Sequence, residues 1–349
     1  MLAPVTHILP LTHIRRNRLL PVPGRILVRS GQKVNAADVI AQGDIPSGHL
    51  MLDIRRGLRI PQVSAAERCI VRQQGEKVVQ GDIVAETTGL FARIVRAPVD
   101  GEVIAIRGGQ VLLGTGTTTI EVKAGLNGTV TDLLTDRGAT VETHGALVQG
   151  MWGNGQIDSG LLILVAESAN DTLVRSKIDV SMRGGVVLGG HCSSADVLQA
   201  AAELPLRGLV LASMTADLIP VASGMNYPIF LIEGFGKLPV DDATFRLLST
   251  SDKRDVSVNA GYNLNAGERP ELVIPLPALG QPAPETDYFA PGQTVRIQGA
   301  PYAGKMGNIV QIRQGTAALP NGIKAQVADV QLENDVRVTV PLANLEVIE

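Results

Sequence analysis

A repeated pattern of glycine turns and short apolar stretches over residues 1–155 limits the folds open to this chain more than any other feature. Residues 31–41 match residues 75–85, and residues 138–148 give a third copy of the pattern. Each copy predicts a turn at a glycine, a short strand, a second turn and then another short strand. Glycine supplies the positive φ angle of tight turns, and alternating Val and Ile pack one face of a strand inward. Because one such unit cannot close a core alone, we expect several units to pair in β-rich modules.

The second copy of the pattern resembles a biotinyl/lipoyl-type domain. Residues 75–86 match the first half of that domain and residues 97–103 match the start of its second half. In that family a hairpin between the halves holds a lysine that is loaded with biotin or lipoate, but residues 86–96 of this chain contain no lysine. The resemblance therefore implies the scaffold, a barrel-sandwich hybrid fold, without a biotinyl or lipoyl lysine. We expect tandem or interlocked modules of this fold, holding no cofactor, over residues 1–155.

The glycine spacing is also similar to the hybrid domain of RnfC-like electron-transport subunits. Those subunits hold iron–sulfur clusters, whereas Cys69 and Cys192 are the two cysteines of this chain and are too few to ligate a cluster. Two cysteines far apart in sequence are typical of a reducing compartment rather than of a disulfide framework. The chain has no signal-peptide pattern, and its longest apolar run is too short to cross a bilayer. We therefore expect a cytoplasmic protein that does not contact a membrane.

Residues 156–269 alternate between apolar runs and helical stretches. Four apolar runs predict strands that are buried on both faces and are therefore parallel, namely residues 161–166, 185–189, 208–212 and 228–233. Helices are expected between and after these strands, over residues 194–204, 215–223 and 241–248. The alternation predicts one α/β domain, and its order is similar to that of the swivelling β/β/α domains.

The last part of the chain begins with a proline-rich segment. Five prolines within residues 270–286 predict a semi-rigid linker. Residues 287–349 resemble a KOW motif, the SH3-like barrel of NusG-type transcription factors and some ribosomal proteins. The matching residues are Pro291, Gly292, Val295, Ile297, Pro301, Tyr302, Gly304, Gly307 and Val310. The resemblance implies a small β-barrel, so the whole chain is expected to be multidomain and mainly β.

Charge is unevenly distributed, with a balance of +6 over residues 1–110 and −9 over residues 111–349. The basic N-terminal third is the expected dock for an anionic partner, unless it is simply a solvated basic face. KOW-like barrels bind RNA in some relatives and protein in others. Residues 287–349 hold five bases and six acids, which disfavours general nucleic-acid binding, so a protein partner is expected and RNA is the alternative. The candidate residues for RNA or partner binding are Arg296, Tyr302, Lys305, Arg313, Arg15, Arg16 and Arg18.

Residues 189–194 form the one stretch whose pattern is typical of a catalytic or ligand-binding site. A glycine pair follows a predicted strand, and His191, Cys192 and Ser193 come next, at the start of a predicted helix. This places them at the carboxyl edge of a parallel sheet, where α/β domains bind ligands. A helix N-terminus would lower the pKa of Cys192 and attract an anion. These three residues are the catalytic candidates, and the simpler interpretation is a tight strand-to-helix turn with a capping serine.

Three functions are compatible with these patterns. The first is a non-enzymatic adaptor or scaffold that binds other macromolecules, because the binding modules come without a complete catalytic set of residues. The second is an RNA-binding factor associated with transcription or translation, through the KOW-like block. The third is an enzyme that uses the turn at residues 189–194. No metal-ligand pattern is present, and the sequence does not identify the partner, the pathway or the oligomeric state.

Overall fold

The chain folds mainly into β-structure arranged in several sheets. A computed structural model describes residues 3–89, 92–262, 268–283, 288–332 and 336–349. Strands make up 46% of the structure and helices 14%. This confirms the mainly β class predicted from the sequence.

The strands are β1 Val5–Thr6, β2 Ile8–Leu19, β3 Arg25–Ile26, β4 Lys33–Val34, β5 Val39–Ile45, β6 Gly48–Asp53, β7 Lys77–Val78, β8 Ile83–Glu86, β9 Ile94–Arg96, β10 Gly101–Arg107, β11 Gln110–Thr115, β12 Thr118–Lys123, β13 Gly128–Leu134, β14 Gly138–Gln149, β15 Trp152–Gly153, β16 Ile157–Leu164, β17 Val186–Cys192, β18 Gly208–Met214, β19 Ile229–Phe235, β20 Asp255–Asn259, β21 Glu271–Pro275, β22 Thr294–Ile297, β23 Met306–Ile312, β24 Ala317–Ala318, β25 Lys324–Ala325, β26 Val327–Leu332, β27 Arg337–Pro341 and β28 Leu345–Ile348. The α-helices are α1 Ile54–Leu58, α2 Val63–Arg68, α3 Ala195–Glu203, α4 Ile219–Ser223 and α5 Asp242–Ser249.

Two nested modules form the N-terminal part. The outer module consists of residues 8–45 and 118–149, and its core includes Leu126 and Val130. The inner module, residues 48–115, is inserted into it and has a separate core that includes Val84 and Val103. A two-stranded neck joins them, because β5 pairs with β12 and the strands that continue from them, β6 and β11, pair with each other. The order of strands is therefore nested rather than tandem.

The first two copies of the sequence repeat have the same backbone pairing. In the outer module Gly31 N donates to Val130 O at 2.7 Å, and in the inner module Gly75 N donates to Val103 O at the same 2.7 Å. Likewise β4 pairs with β13 and β7 pairs with β10. This confirms the repeat at residues 31–41 and 75–85.

The third copy of the repeat was predicted wrongly. Residues 138–148 contain no second turn, because β14 runs unbroken and pairs with β2, β13 and β21. A Cβ atom on Gly145 would overlap with the carbonyl oxygen of Ile274 in β21. Gly145 therefore permits close approach of a neighbouring strand rather than a turn.

An 11-stranded sheet extends from the outer module into the central part of the chain. Its order is β15-β19-β18-β17-β16-β20-β21-β14-β13-β4, with β2 paired to β14. The strands β16 to β19 are parallel, and α3 and α4 lie in their connections. The four predicted parallel strands and the three predicted helical stretches are confirmed. Because the sheet crosses residue 155, the predicted domain boundary is not a break in structure.

Part of the predicted linker is a buried strand. Within residues 270–286, β21 lies between β20 and β14, and four of its five residues are buried. The linker prediction is therefore wrong for residues 271–275. Residues 284–287 lie outside the described part of the chain.

The C-terminal part forms a six-stranded sheet in the order β1-β28-β22-β23-β26-β27. Its core includes Val295, Val330 and Val347. The N-terminal strand β1 joins this sheet parallel to β28, with Val5 opposite Val347. The two ends of the chain therefore meet in one sheet.

Candidate functional site at the carboxyl edge of the parallel strands

A cavity of about 330 Å³ lies where the parallel strands end. His191 comes from the end of β17, and the loop after β19 contributes Lys237. The segment before β17 contributes Asn170 and Asp171. Ligands of open α/β sheets bind at this edge, so the cavity is the position that the fold favours for a site.

The glycine pair before His191 has a structural reason. The segment of Asp171 and Leu173 runs beside β17: His191 N donates to Asp171 O at 2.7 Å, and Leu173 N donates to His191 O at 2.8 Å. A Cβ atom on Gly190 would overlap with the Asp171 carbonyl oxygen, and one on Gly189 would press against the Leu173 side chain. The pair therefore admits a neighbouring backbone.

A short hydrogen-bond chain fixes the tautomer of His191. Ser213, on β18, donates its hydroxyl proton to Leu238 O at 2.8 Å and accepts from Leu238 N at 3.1 Å. Because that proton is used, His191 Nδ1 donates to Ser213 Oγ at 3.0 Å. Burial lowers the pKa of His191, and the Lys237 ammonium lowers it further. The ring is therefore neutral near pH 7, and Nε2 has a free lone pair.

Cys192 and Ser193 do not form a catalytic pair with His191. The Cys192 side chain is 0% exposed, and its Sγ lies 3.6 Å from Ser194 O. Burial raises the pKa of the Cys192 thiol, so the expected lowering by the helix N-terminus is wrong. Ser193 is exposed, and Ser194 caps α3 by accepting from Asp196 N at 3.3 Å.

A second cavity, of about 720 Å³, adjoins the first and shares Ala169, Asn170 and Pro239 with it. It continues along the start of α5 to the C-terminal sheet, where Lys305 contributes to its wall. Two candidates from distant parts of the sequence, His191 and Lys305, therefore line adjoining cavities.

Arg296 is not available to a partner. Its side chain is buried and forms an ion pair with Glu233, at the end of β19. Glu346 Oε2 lies 3.9 Å from Arg296 Nε, and Arg269 also pairs with Glu346, at 2.6 Å. Burial is the largest cause that raises the pKa of Glu233, to about 7. Arg296 therefore joins the C-terminal sheet to the parallel strands, and its prediction as a binding residue is wrong.

The other candidates on the C-terminal sheet differ in exposure. Tyr302 is half-buried against the core, and Lys305 Nζ lies 5.8 Å from the centroid of its ring. Arg313 is exposed but pairs with Asp329 at 2.8 Å, and this hydrogen bond is the main cause that holds the pKa of Asp329 well below its usual range. Of the charged candidates on the C-terminal sheet, Arg296 and Arg313 form ion pairs and Lys305 forms none within the described residues.

The basic N-terminal residues do not form a free arm, because they lie on β2. Arg15 pairs with Asp132 at 2.8 Å and with Glu142 at 3.0 Å. Arg16 pairs with the buried Glu271 at 2.6 Å. Arg18 Nε donates to Ala124 O at 3.0 Å. Arg15 and Arg16 are therefore neutralised within the chain, whereas Arg18 has no carboxylate partner among the described residues and its Nη2 is buried without a hydrogen bond.

Sequence analysis missed Ser213 and Lys237. Ser213 lies within an apolar strand, and its polarity in a buried run was the signal available. Lys237 is one of eight lysines spread over the chain, and it becomes notable only where the loop after β19 meets the end of β17.

Among the described residues, no group of three or more His, Cys, Asp and Glu side chains is placed to hold a metal ion. None of the helices in the described part of the chain is long and apolar enough to span a lipid bilayer. The chain matches no family model and no curated protein sequence with which it was compared.

Proposed function

We propose that the chain is a non-enzymatic multidomain adaptor that binds another protein. We further propose that the two nested modules are barrel-sandwich hybrids and that residues 288–349 are a KOW-like SH3 barrel. The shared backbone pairing of the two repeats supports the first assignment. The separate core of the C-terminal sheet and the turn at Gly304, with φ of 80°, support the second.

The observation on which the protein-binding role rests is a difference between the two copies of the repeat. Asn127 Oδ1 accepts from Ala36 N at 2.8 Å, and Asp100 Oδ1 accepts from Gln80 N at 2.7 Å, so the two turns have the same geometry. The apolar residue before the acceptor is Leu126 in the outer copy and Val99 in the inner copy. Leu126 is 0% exposed, whereas Val99 is 41% exposed.

The outer copy shows what covers this position. Arg18 of β2 bonds to Ala124 O and packs on Gly125, while Leu126 shares its core with Ile14 of β2 and Val141 of β14. In the inner copy the strand equivalent to β2 is β6, which pairs with β11 as β2 pairs with β14, yet Val99 remains 41% exposed. The uncovered surface is extended by Val79, which is 58% exposed. An apolar segment of a partner protein would cover this exposed surface.

This surface can be removed with little disturbance to the fold. The outer copy has Asn35 where the inner copy has Val79, and both backbone amides donate to an aspartate three positions later. A chain with Val79→Asn and Val99→Asn should therefore fold normally. Partner capture from cell extract should fall by about tenfold, since apolar contacts at the centre of an interface dominate affinity.

The matched control is Val310→Asn, which removes an equally exposed valine from the C-terminal sheet and should leave capture unchanged. Unchanged capture by the double variant would contradict the proposal. If size-exclusion chromatography shows that the purified wild-type chain self-associates and the double variant does not, the occupant is a second copy instead.

The RNA and enzyme alternatives have less support. Arg15, Arg16, Arg296 and Arg313 are all paired with carboxylates of the same chain. A cation that is already neutralised contributes little to phosphate binding. For an enzyme, a nucleophile would have to lie within hydrogen-bond reach of its base. Among the described residues the ring of His191 bonds to Ser213, whose hydroxyl proton goes to a backbone carbonyl.

A further inference from the structure

We propose that the cavity at His191 binds a phosphoryl group that carries one proton, either inorganic phosphate or a small phosphomonoester. This site is separate from the partner surface on the inner module. The cavity of about 330 Å³ is at the small end of the range for ligand sites and suits a compact ligand.

His191 supplies an acceptor. Its Nδ1 is used by Ser213, whose own hydroxyl proton is held by Leu238 O. Its Nε2 has no hydrogen-bond partner among the described residues, and it is not among the buried polar atoms shut off from solvent. The neutral ring therefore presents one unsatisfied lone pair to the cavity.

Lys237 and Asn170, which also line the cavity, supply donors. Lys237 is exposed and forms no ion pair within the described residues. The other charged group that faces His191 is Asp171, and its carboxylate is occupied by Lys177 at 2.7 Å and by Thr172 N at 2.7 Å. The Lys237 ammonium is thus the charge left for an anion, and the adjoining cavity leaves room for a substituent on the phosphoryl group.

A site with one acceptor and several donors matches a protonated phosphoryl group. The P–OH donates to His191 Nε2, while the other oxygens accept from Lys237 and Asn170. A carboxylate or sulfate has only acceptors near neutral pH and would face the Nε2 lone pair unfavourably. Inorganic phosphate keeps one proton after its second ionisation, whereas a phosphomonoester keeps one only below its second pKa, which is about 6.

The test uses inorganic phosphate and sulfate, which have nearly the same shape. Isothermal titration of the full-length chain should give about tenfold tighter binding for phosphate than for sulfate near neutral pH. The ring signals of His191 should shift with phosphate in an NMR titration and keep the Nδ1–H tautomer. Glycerol 3-phosphate distinguishes the two sources when both ligands are compared below about pH 6, where each carries a proton. Weaker binding than inorganic phosphate then identifies the free anion, and tighter binding identifies a phosphomonoester.

Two variants distinguish binding in the cavity at His191 from nonspecific attraction of phosphate to a surface lysine. Lys237→Gln should weaken phosphate binding by about tenfold, since a hydrogen bond to a charged group is lost, whereas Lys305→Gln in the adjoining cavity should not change it. Equal binding of sulfate and phosphate, or no shift of the His191 signals, would overturn the proposal. So would unchanged binding by Lys237→Gln. The NMR titration of the wild-type chain decides the matter even if Lys237→Gln fails to fold.

Discussion

At the scale of single residues, the sequence identifies which groups are present but not which groups meet. The glycine pair and His191 were expected in a turn after a strand, and this was wrong, because β17 continues through them to Cys192. The burial of Arg296 was not recognisable in the sequence, because its partner Glu233 comes from the central sheet. Their contact depends on how that sheet packs against the C-terminal one. The same reason explains why two cations of β2, Arg15 and Arg16, which were candidates for partner binding, are paired with carboxylates of the chain.

Glu233 should make stability depend on pH. Its pKa is raised from 4.5 to about 7 in the folded chain. Between these values the folded carboxyl keeps its proton while the unfolded one releases it, so the free energy of unfolding falls as pH rises through this window. The loss from this group is roughly 3 kcal/mol.

The measurement is urea unfolding of wild type and Glu233→Gln at several pH values. The stability of the wild type relative to the variant should decrease from about pH 4.5 to about pH 7. Glu203→Gln, which removes an exposed partner of Arg175, is the control and should run parallel to the wild type. A wild type that gains stability relative to Glu233→Gln over this range would contradict the assignment.

Cys192 should be chemically inert in the folded protein. Its thiol is buried with a raised pKa, whereas Cys69 is partly exposed. Since the thiolate is the reactive form, alkylation of the native chain should modify Cys69 at least about tenfold faster than Cys192. Mass spectrometry of peptides at successive times measures both rates. Equal rates would return Cys192 to the list of catalytic candidates.

At the scale of elements, glycine has two different roles in this chain, and only one of them is evident from the repeat pattern. Gly31 and Gly75 adopt φ values of 80° and 85° in real turns. Gly145 lies within a continuous strand and makes room for the backbone of β21. The pattern therefore predicted two repeats correctly and a third wrongly. The local sequence of residues 138–148 does not show that they pair with the distant strand β21.

The strand β21 shows the same limit. Its flanking prolines indicated a linker, but Pro270 and Pro275 stand beside and at the end of an apolar stretch. Proline is tolerated at strand ends, so it was not evidence against a short buried strand between them. The partners of β21, namely β14 and β20, lie far from each other in sequence.

Gly190→Ala should destabilise the protein because its Cβ would overlap with the Asp171 carbonyl oxygen. Overpacking of this kind costs about 1–3 kcal/mol. Gly224→Ala is the matched control, since the nearest atom to its Cβ is 3.6 Å away. Urea unfolding should show a clear loss for Gly190→Ala and almost none for Gly224→Ala. Equal effects would mean that the segment beside β17 is not held as described.

At the scale of the whole molecule, the sequence predicted a mainly β chain with a central set of parallel strands, and both are confirmed. It did not predict the nesting of one module in the other, the sheet that continues across residue 155, or the meeting of β1 with β28. Each of these depends on contacts between segments far apart in sequence. The repeats were visible because their contacts are local or recur at a fixed spacing.

Removal of the inner module should leave the rest of the chain folded. Ile45 and Thr118 are paired at the neck, so an Asn-Gly turn can replace residues 46–117 and close a hairpin. The two modules have separate cores, and Trp152, the single tryptophan, packs edge-on against Phe235 in the central sheet. The tryptophan fluorescence and the unfolding curve of the shortened chain should match those of the full-length chain. Loss of cooperative unfolding would show that the inner module is part of the outer core.

Capture of partners from cell extract by this shortened chain, beside the full-length chain, tests the central claim most directly. The account predicts that the proteins retained by the full-length chain and lost with Val79→Asn and Val99→Asn are also lost with the shortened chain, while its Trp152 fluorescence stays native. Retention of the same proteins by the folded, shortened chain would contradict it.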